Sequence, residues 1–166
     1  MAEIDYSIAW KRNDSRAIAG AKVFWRGMGL ADDAIDKRVP ELCNVAWSGG
    51  KVIGVTTVRL DDAPPVKCRV GFLRCAVAAQ LRKHYLATFL TRDSLTILEH
   101  WSLENPREKV QGLAFIIEAN ELGPKAVYPM WADWNTHYNL IGHTPRDEQI
   151  RLAWFRHARL EASAAG

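Results

Sequence analysis

Apolar residues recur at every second position at the start of the chain. Ile4, Tyr6, Ile8 and Trp10 alternate with polar or small residues, the period of a half-buried strand. The spacing then lengthens to that of a helix: Ala17, Ile18, Ala21, Phe24, Trp25 and Met28 follow the candidate caps Asn13, Asp14 and Ser15, and the run closes at Gly27 and Gly29. A second, short helix is predicted from about Ala31 to Arg38, capped by Asp32 or Asp33 and stopped before Pro40. Cys43, Val45 and Trp47 return to alternation. Ser48-Gly49-Gly50-Lys51 makes a tight turn and Val52 to Leu60 runs back as a β-branched strand, which together form a hairpin. Asp61 to Pro65 then turns the chain into another antiparallel strand, Val70 to Val77.

The strongest amphipathic segment comes next, with Leu86, Phe89, Leu90, Ile97, Leu98 and Trp101 on one stripe. Val110 to Ile117 is a nearly unbroken apolar run of strand length, suited to a strand covered on both faces. Beyond it the pattern becomes irregular, and Pro124 and Pro129 limit any helix there to about two turns, with Pro124 in its first turn. Tyr138 to Ile141 and Gln149 to Arg156 read as a closing pair of strands joined by Gly142 to Glu148. The last of these is expected to form an exposed edge, which makes a homodimer through the C-terminal strands an expectation. The small-residue tail from Glu161 to Gly166 is expected to fray. The order β-α-α-β-β-β-α-β-α-β-β shows no repeat and is assigned to a single domain, residues 1–166.

At 166 residues, 48% hydrophobic and 25% charged, the chain has the composition of one globular domain. A net charge of +3 and a pI near 8.8 lean slightly toward acidic small ligands. No nucleic-acid partner is expected, because basic residues are scattered and do not interleave with aromatic ones. Cys43, Cys68 and Cys75 cannot all pair and contain no C-x-x-C, so a reduced, cytoplasmic protein is expected. No membrane association is expected either. The acidic N-terminus has no apolar signal core, and no run approaches the roughly 18 apolar residues of a span. His84, His100, His137, His143 and His157 have no Cys or carboxylate partners at metal-ligand spacing, so no metal is expected. Among the aromatic residues, Trp131 and Trp134 are candidates for a pocket wall. A G-x-S-x-G elbow, a Walker loop and a Rossmann fingerprint are absent.

The junction after Val77 carries the most chemistry. A strand ends there and an amphipathic helix begins within a few residues, so the first helical amides lack intrahelical acceptors and the helix end carries partial positive charge. Arg82, Lys83 and His84 add side-chain charge at the same place, which suits a diphosphate. From Val77 the chain reads V-x-x-x-x-R-x-x-Y-x-A. This resembles the acetyl-CoA-binding motif of the GCN5-related N-acetyltransferases (GNAT), in which a strand leads into R/Q-x-x-G-x-G/A and a helix. Arg82 and Ala87 fall on the first and last motif positions, and Tyr85 stands where the family usually has glycine.

The resemblance implies an α+β, GNAT-like fold: a mixed, mostly antiparallel sheet of about seven strands flanked by helices. It also implies acetyl-CoA as co-substrate and transfer of its acyl group to a primary amine by direct attack in a ternary complex. By position, the amides near Cys75 and Ala76 would meet the acyl carbonyl, Val77 the pantetheine, and the amides of Arg82, Lys83, His84, Tyr85, Leu86 and Ala87 the diphosphate. A backbone donor on the thioester carbonyl is oxyanion-type stabilisation, commonly worth about 3 kcal/mol. Glu118 would act as base, directly or through water, with Asn120 close to the pantetheine and Tyr128 as the acid for the departing thiolate. Each has an ordinary alternative: a solvated carboxylate for Glu118, a helix cap for Asn120, and a packed tyrosine for Tyr128. The acceptor is not specified. A non-catalytic acyl-CoA-responsive or protein-binding module of the same fold is the rival function.

Overall fold

The computed structural model describes residues 3–82, 85–117, 123–133 and 135–161. Eight strands form one sheet in the order β1-β2-β3-β4-β5-β8-β7-β6: β1 Ile4–Ile8, β2 Leu42–Ser48, β3 Lys51–Ala63, β4 Cys68–Val77, β5 Val110–Ile117, β6 Met130–Asp133, β7 Thr136–His143 and β8 Gln149–Trp154. The pairs β1–β2, β2–β3, β5–β8, β6–β7 and β7–β8 are all antiparallel. Among the described residues three α-helices accompany the sheet, α1 Ser15–Gly27, α2 Asp32–Arg38 and α3 Leu86–Glu104. The mostly antiparallel α+β architecture read from the sequence is present. The chain divides into two compact units, Met1–Arg59 with Leu73–Ile97, and Leu60–Phe72 with Leu98–Gly166.

In the first unit, Asp14 caps α1 by accepting a 3.0 Å hydrogen bond from the Ala17 amide. Ala17, Ala21 and Trp25 then fall on one buried stripe and pack with Val45, Trp47 and Val55. On another stretch of these strands, Ala46, Ile53 and Val77 pack with Leu86 and Leu90 of α3. The register of β2 against β3 shifts between Leu42 and Asn44, making Cys43 a bulge. Its carbonyl accepts from the amides of Ala9 and Trp10 at 2.8 and 3.0 Å, which fixes the chain leaving β1. The Asn44 amide donates to Thr56 Oγ1 at 3.1 Å, and that hydroxyl lies 2.7 Å from Ser94 Oγ of α3. Two expectations change here. The apolar residues Ile4, Tyr6 and Ile8 are exposed, because β1 is the edge of the sheet. Phe89 also leaves the buried stripe and packs its ring against the guanidinium of Arg92.

In the second unit, Ala63, Val70, Ala114 and Leu152 form the buried core. The helix expected after β5 is replaced, among the described residues, by a 3-10 turn at Gly123–Val127 followed by the strand β6. Pro124 suits the turn, and Met130 to Asp133 find a ladder partner in β7. The expectation that Gln149 to Arg156 is an edge is also corrected. Strand β8 lies inside the sheet between β5 and β7, so the exposed ladder proposed for a homodimer does not exist there.

Arg151 on β8 is fully buried. Its guanidinium lies 3.6 Å from the centre of the Trp131 ring, donates from Nε and Nη2 to Gln149 Oε1 at 3.0 and 2.7 Å, and donates from Nη2 to the Tyr128 carbonyl at 2.8 Å. Gln149 in turn donates to the Ala126 carbonyl at 2.9 Å. These bonds hold the turn at Gly123–Val127 against the sheet. Strand β5 approaches β8 closely at Gly112, where a Cβ would stand 2.5 Å from the Ala153 carbonyl oxygen and 2.9 Å from Leu152 Cδ1. Backbone cannot move aside as a flexible side-chain end can. Gly112→Ala is therefore expected to lower stability by about 1–3 kcal/mol, the range for overpacked sites, measured as a lower urea midpoint with unchanged slope.

Candidate functional site

Strand β4 ends at Val77, whose side chain is buried with Leu86 and Leu90, and the Ala78 amide donates to the Ile53 carbonyl at 2.9 Å. A single 3-10 turn, Ala79–Leu81, follows. Tyr85 then adopts the left-handed conformation, with φ +58°, immediately before α3. This conformation favours glycine because a Cβ crowds the following carbonyl, at a cost of roughly 1–2 kcal/mol for other residues. The Tyr85 ring is 75% exposed and points away from the packed interior. The position where the motif has glycine thus keeps the backbone shape that glycine supplies, although the residue is tyrosine.

The hydrogen-bond ladder of α3 begins with the Phe89 amide donating to the Tyr85 carbonyl at 3.0 Å. Leu86, Ala87 and Thr88 precede it, and the amides at these positions have no intrahelical acceptor. Leu86 buries its side chain, while Ala87 is exposed. The Arg82 amide, expected to face a ligand, makes a long 3.5 Å bond to the Ala79 carbonyl, and its side chain is exposed. Lys83, His84, Glu118 and Asn120 lie outside the described residues, as does Trp134. Trp131 is the stacking partner of Arg151.

Cys75 and Ala76 precede the turn on β4. Ala76 packs against the core beneath α1. Solvent reaches Cys75, yet burial by its surroundings pushes its thiol up to about 12. A thiol raised this far is protonated at neutral pH and a poor nucleophile. The Cys43 thiol is likewise raised to about 12 by burial inside β2. Tyr128 follows the Gly123–Val127 turn with its ring 60% exposed, and its carbonyl accepts from Arg151. Among the described residues no group of three His, Cys, Asp or Glu side chains is placed to hold a metal ion, and no helix is long and apolar enough to cross a membrane.

One cluster was not legible in the sequence. Arg74, one residue before Cys75, donates from Nη2 to Glu41 Oε2 in an ion pair and from Nε to Thr57 Oγ1 at 3.3 Å. Arg38, at the end of α2, lies within electrostatic reach of both Arg74 and Glu41. Burial first, and then the positive charge of Arg74, hold the Arg38 guanidinium below its usual range, partly offset by Glu41. Residues from α2, β3 and β4 meet here across long stretches of chain, and no local period links them.

No protein-family model matches the chain, and no curated protein matches it in sequence. Its similarity is to solved structures. A protein described as a bacterial toxin aligns over 95% of this chain and 93% of its own, at 11% identity and a TM-score of 0.57. N-acetylglutamate synthase from Neisseria gonorrhoeae, solved with coenzyme A and L-arginine, aligns over 95% of this chain and 34% of its own, at 11% identity and a TM-score of 0.53. FeeM, an N-acyl amino acid synthase from uncultured soil microbes, aligns over 93% of this chain and 91% of its own, at 13% identity and a TM-score of 0.50. Identities this low speak to architecture alone. Together with the strand-turn-helix at Tyr85, they establish that the chain has the fold of the GCN5-related N-acetyltransferases.

Proposed function

We propose that this chain is an N-acyltransferase, working as one domain, that moves an acetyl or other acyl group from its coenzyme A thioester to a primary amine by direct attack in a ternary complex. The observation that carries the proposal is the left-handed Tyr85 immediately before α3, the conformation that favours glycine, at the motif position where glycine is usual and where the first helical amides lack intrahelical acceptors. Amides of Leu86 and Ala87, with the Arg82 side chain nearby, would hold the diphosphate through charge-assisted hydrogen bonds. The similar folds of N-acetylglutamate synthase and of an N-acyl amino acid synthase support acyl transfer as the chemistry.

In the proposed reaction the amine nitrogen forms a bond to the thioester carbon and the carbon–sulfur bond breaks. Glu118, directly or through a water, takes the proton lost by the amine, and Tyr128 supplies one to the leaving sulfur. The backbone near Cys75 would polarise the carbonyl, and its protonated thiol takes no part. Asn120 would lie close to the pantetheine. The cytoplasm, where acyl-CoA is available, is the proposed compartment.

The decisive experiment is turnover of acetyl-CoA with a panel of primary amines, paired with calorimetry for CoA. The expected result is CoA binding and acyl transfer to at least one amine, with Glu118→Gln lowering kcat by about 100-fold or more, in the range of general-base catalysis. No CoA binding at millimolar ligand would remove the proposal, and binding without transfer would point to a non-catalytic, CoA-responsive module. Tyr85→Gly relieves the left-handed strain but adds chain entropy, so a net gain of about 0.5–1 kcal/mol in stability is expected, with CoA affinity kept. Tyr85→Val puts a branched side chain at the same φ and is expected to weaken both. Cys75→Ala should retain kcat within about threefold. A thiol raised from an ordinary 9.0 to about 12 should also react with iodoacetamide at pH 8 about a thousandfold more slowly than an unperturbed cysteine. Labelling of Cys75 at the ordinary rate would show that its thiol is not desolvated.

A further inference from the structure

We infer that β1 pairs edge to edge with β1 of a second copy of this chain, antiparallel across a two-fold axis at Tyr6, so that the sheets of the two copies join in a homodimer. This interface stands apart from the acyl transfer proposed above. The sheet has two edges, β1 and β6. Strand β6 is entered through Pro129, and a proline blunts an edge because it offers no amide proton. Strand β1 lacks such protection. Its five residues pair with β2 in an unbroken register from Ile4 to Ile8, with no proline, lysine or bulge among them, and no described strand covers its outer side. Tyr6 stands opposite Ala46 on the face of the sheet that meets α3, and Ile4, Tyr6 and Ile8 on that face are 41%, 43% and 41% exposed.

Two properties of the strand select a second copy as its partner. Ile-Asp-Tyr-Ser-Ile alternates apolar and polar residues identically in both directions, so an antiparallel copy meets apolar with apolar and polar with polar. Residues opposite each other share a face, and of the two-fold registers that satisfy this, the one centred on Tyr6 pairs all five residues. It sets Ile4 against the partner's Ile8 and Asp5 against the partner's Ser7. Ser7 Oγ accepts from Trp47 Nε1 at 3.0 Å, which leaves the hydroxyl proton for that carboxylate. A register centred on Asp5 would oppose two carboxylates. The charges beyond the strand select the same direction. Glu3 and Asp5 stand at its start, and Lys11 and Arg12 follow its end; all four are exposed, and none forms an ion pair among the described residues. An antiparallel copy brings an acidic start beside a basic end on both sides of the axis, whereas a parallel copy sets like charge beside like. Because the axis is perpendicular to the sheet, the exposed apolar faces of the two strands join on one side.

Analytical ultracentrifugation of the full chain tests the interface. A strand pair about 17 Å long with one joined apolar face is a small interface, so a dimer with a dissociation constant of about 1–100 µM is expected. Tyr6→Lys sets two ammonium groups against each other at the axis and should weaken the dimer about tenfold or more, with a thermal melt to show that the fold is kept. A second pair of variants changes only exposed side chains: Glu3→Lys with Asp5→Lys in one chain, and Lys11→Glu with Arg12→Glu in another. Each alone should dimerise about tenfold or more weakly than the wild-type protein, because like charges then meet at both ends of the strand pair. An equimolar mixture of the two should recover dimers, and native mass spectrometry should find one chain of each kind in them. A wild-type protein that stays monomeric at about 500 µM overturns the inference. So does a dimer whose strength is unchanged in both charge variants, or a mixture of weakened variants that recovers nothing.

Discussion

Helix α3 can present its first turn at a fixed place because Gly54 lets it lie close against β3. A Cβ at Gly54 would stand 2.8 Å from Leu90 Cδ1, 3.5 Å from Leu86 Cδ2 and 3.4 Å from the Ala76 carbonyl oxygen. The absence of a side chain there is what allows Leu86 and Leu90 to seat between helix and strands. Further along, the Thr56 and Ser94 hydroxyls meet at 2.7 Å in a fully buried spot, and Ser94 Oγ also donates to the Leu90 carbonyl at 2.8 Å. An apolar seat at one point and a satisfied polar tie a turn away fix both the height and the rotation of the helix. The direction of its leading amides follows.

That seat also explains how tyrosine is tolerated in a left-handed backbone. Full burial of a leucine is worth about 1.5–3 kcal/mol, and Leu86 and Leu90 contribute twice that, against roughly 1–2 kcal/mol for a Cβ at positive φ. Packing on one side of the turn wins over local strain on the other. Because the Tyr85 ring is exposed, the strain is confined to the backbone and does not intrude on the first turn of α3.

Regular elements with strong periodicity were legible in the sequence. Val110–Ile117 was bounded correctly by its apolar run alone, and the hairpin around Gly49 and Gly50, both at positive φ, followed from turn chemistry. The strand β6 was hidden because its residues alternate only weakly between exposed and half-buried, and because two prolines nearby masked the ladder it makes with β7. The interior place of β8 depends on which strands flank it, and alternation cannot say that. The apolar face of β1 misled in the opposite direction, since alternation implies a covered face and an edge strand need not have one. At the site, the resemblance located the turn, but the conformation of Tyr85 could not be inferred from a residue that rarely adopts it. The cluster of Arg38, Glu41, Thr57 and Arg74 joins positions up to 36 apart in sequence, so only the folded chain brings it together.

The buried arginine on β8 has a consequence for pH dependence. Burial lowers the affinity of Arg151 for its proton, yet a guanidinium remains cationic throughout the range in which enzymes are assayed. Its partners are a carboxamide, a peptide carbonyl and an indole, none of which ionises there either. The scaffold that carries Tyr128 is therefore held by a charged group whose attachments do not titrate. A change of pH across that range therefore leaves this attachment of the Tyr128 segment to the sheet unaltered.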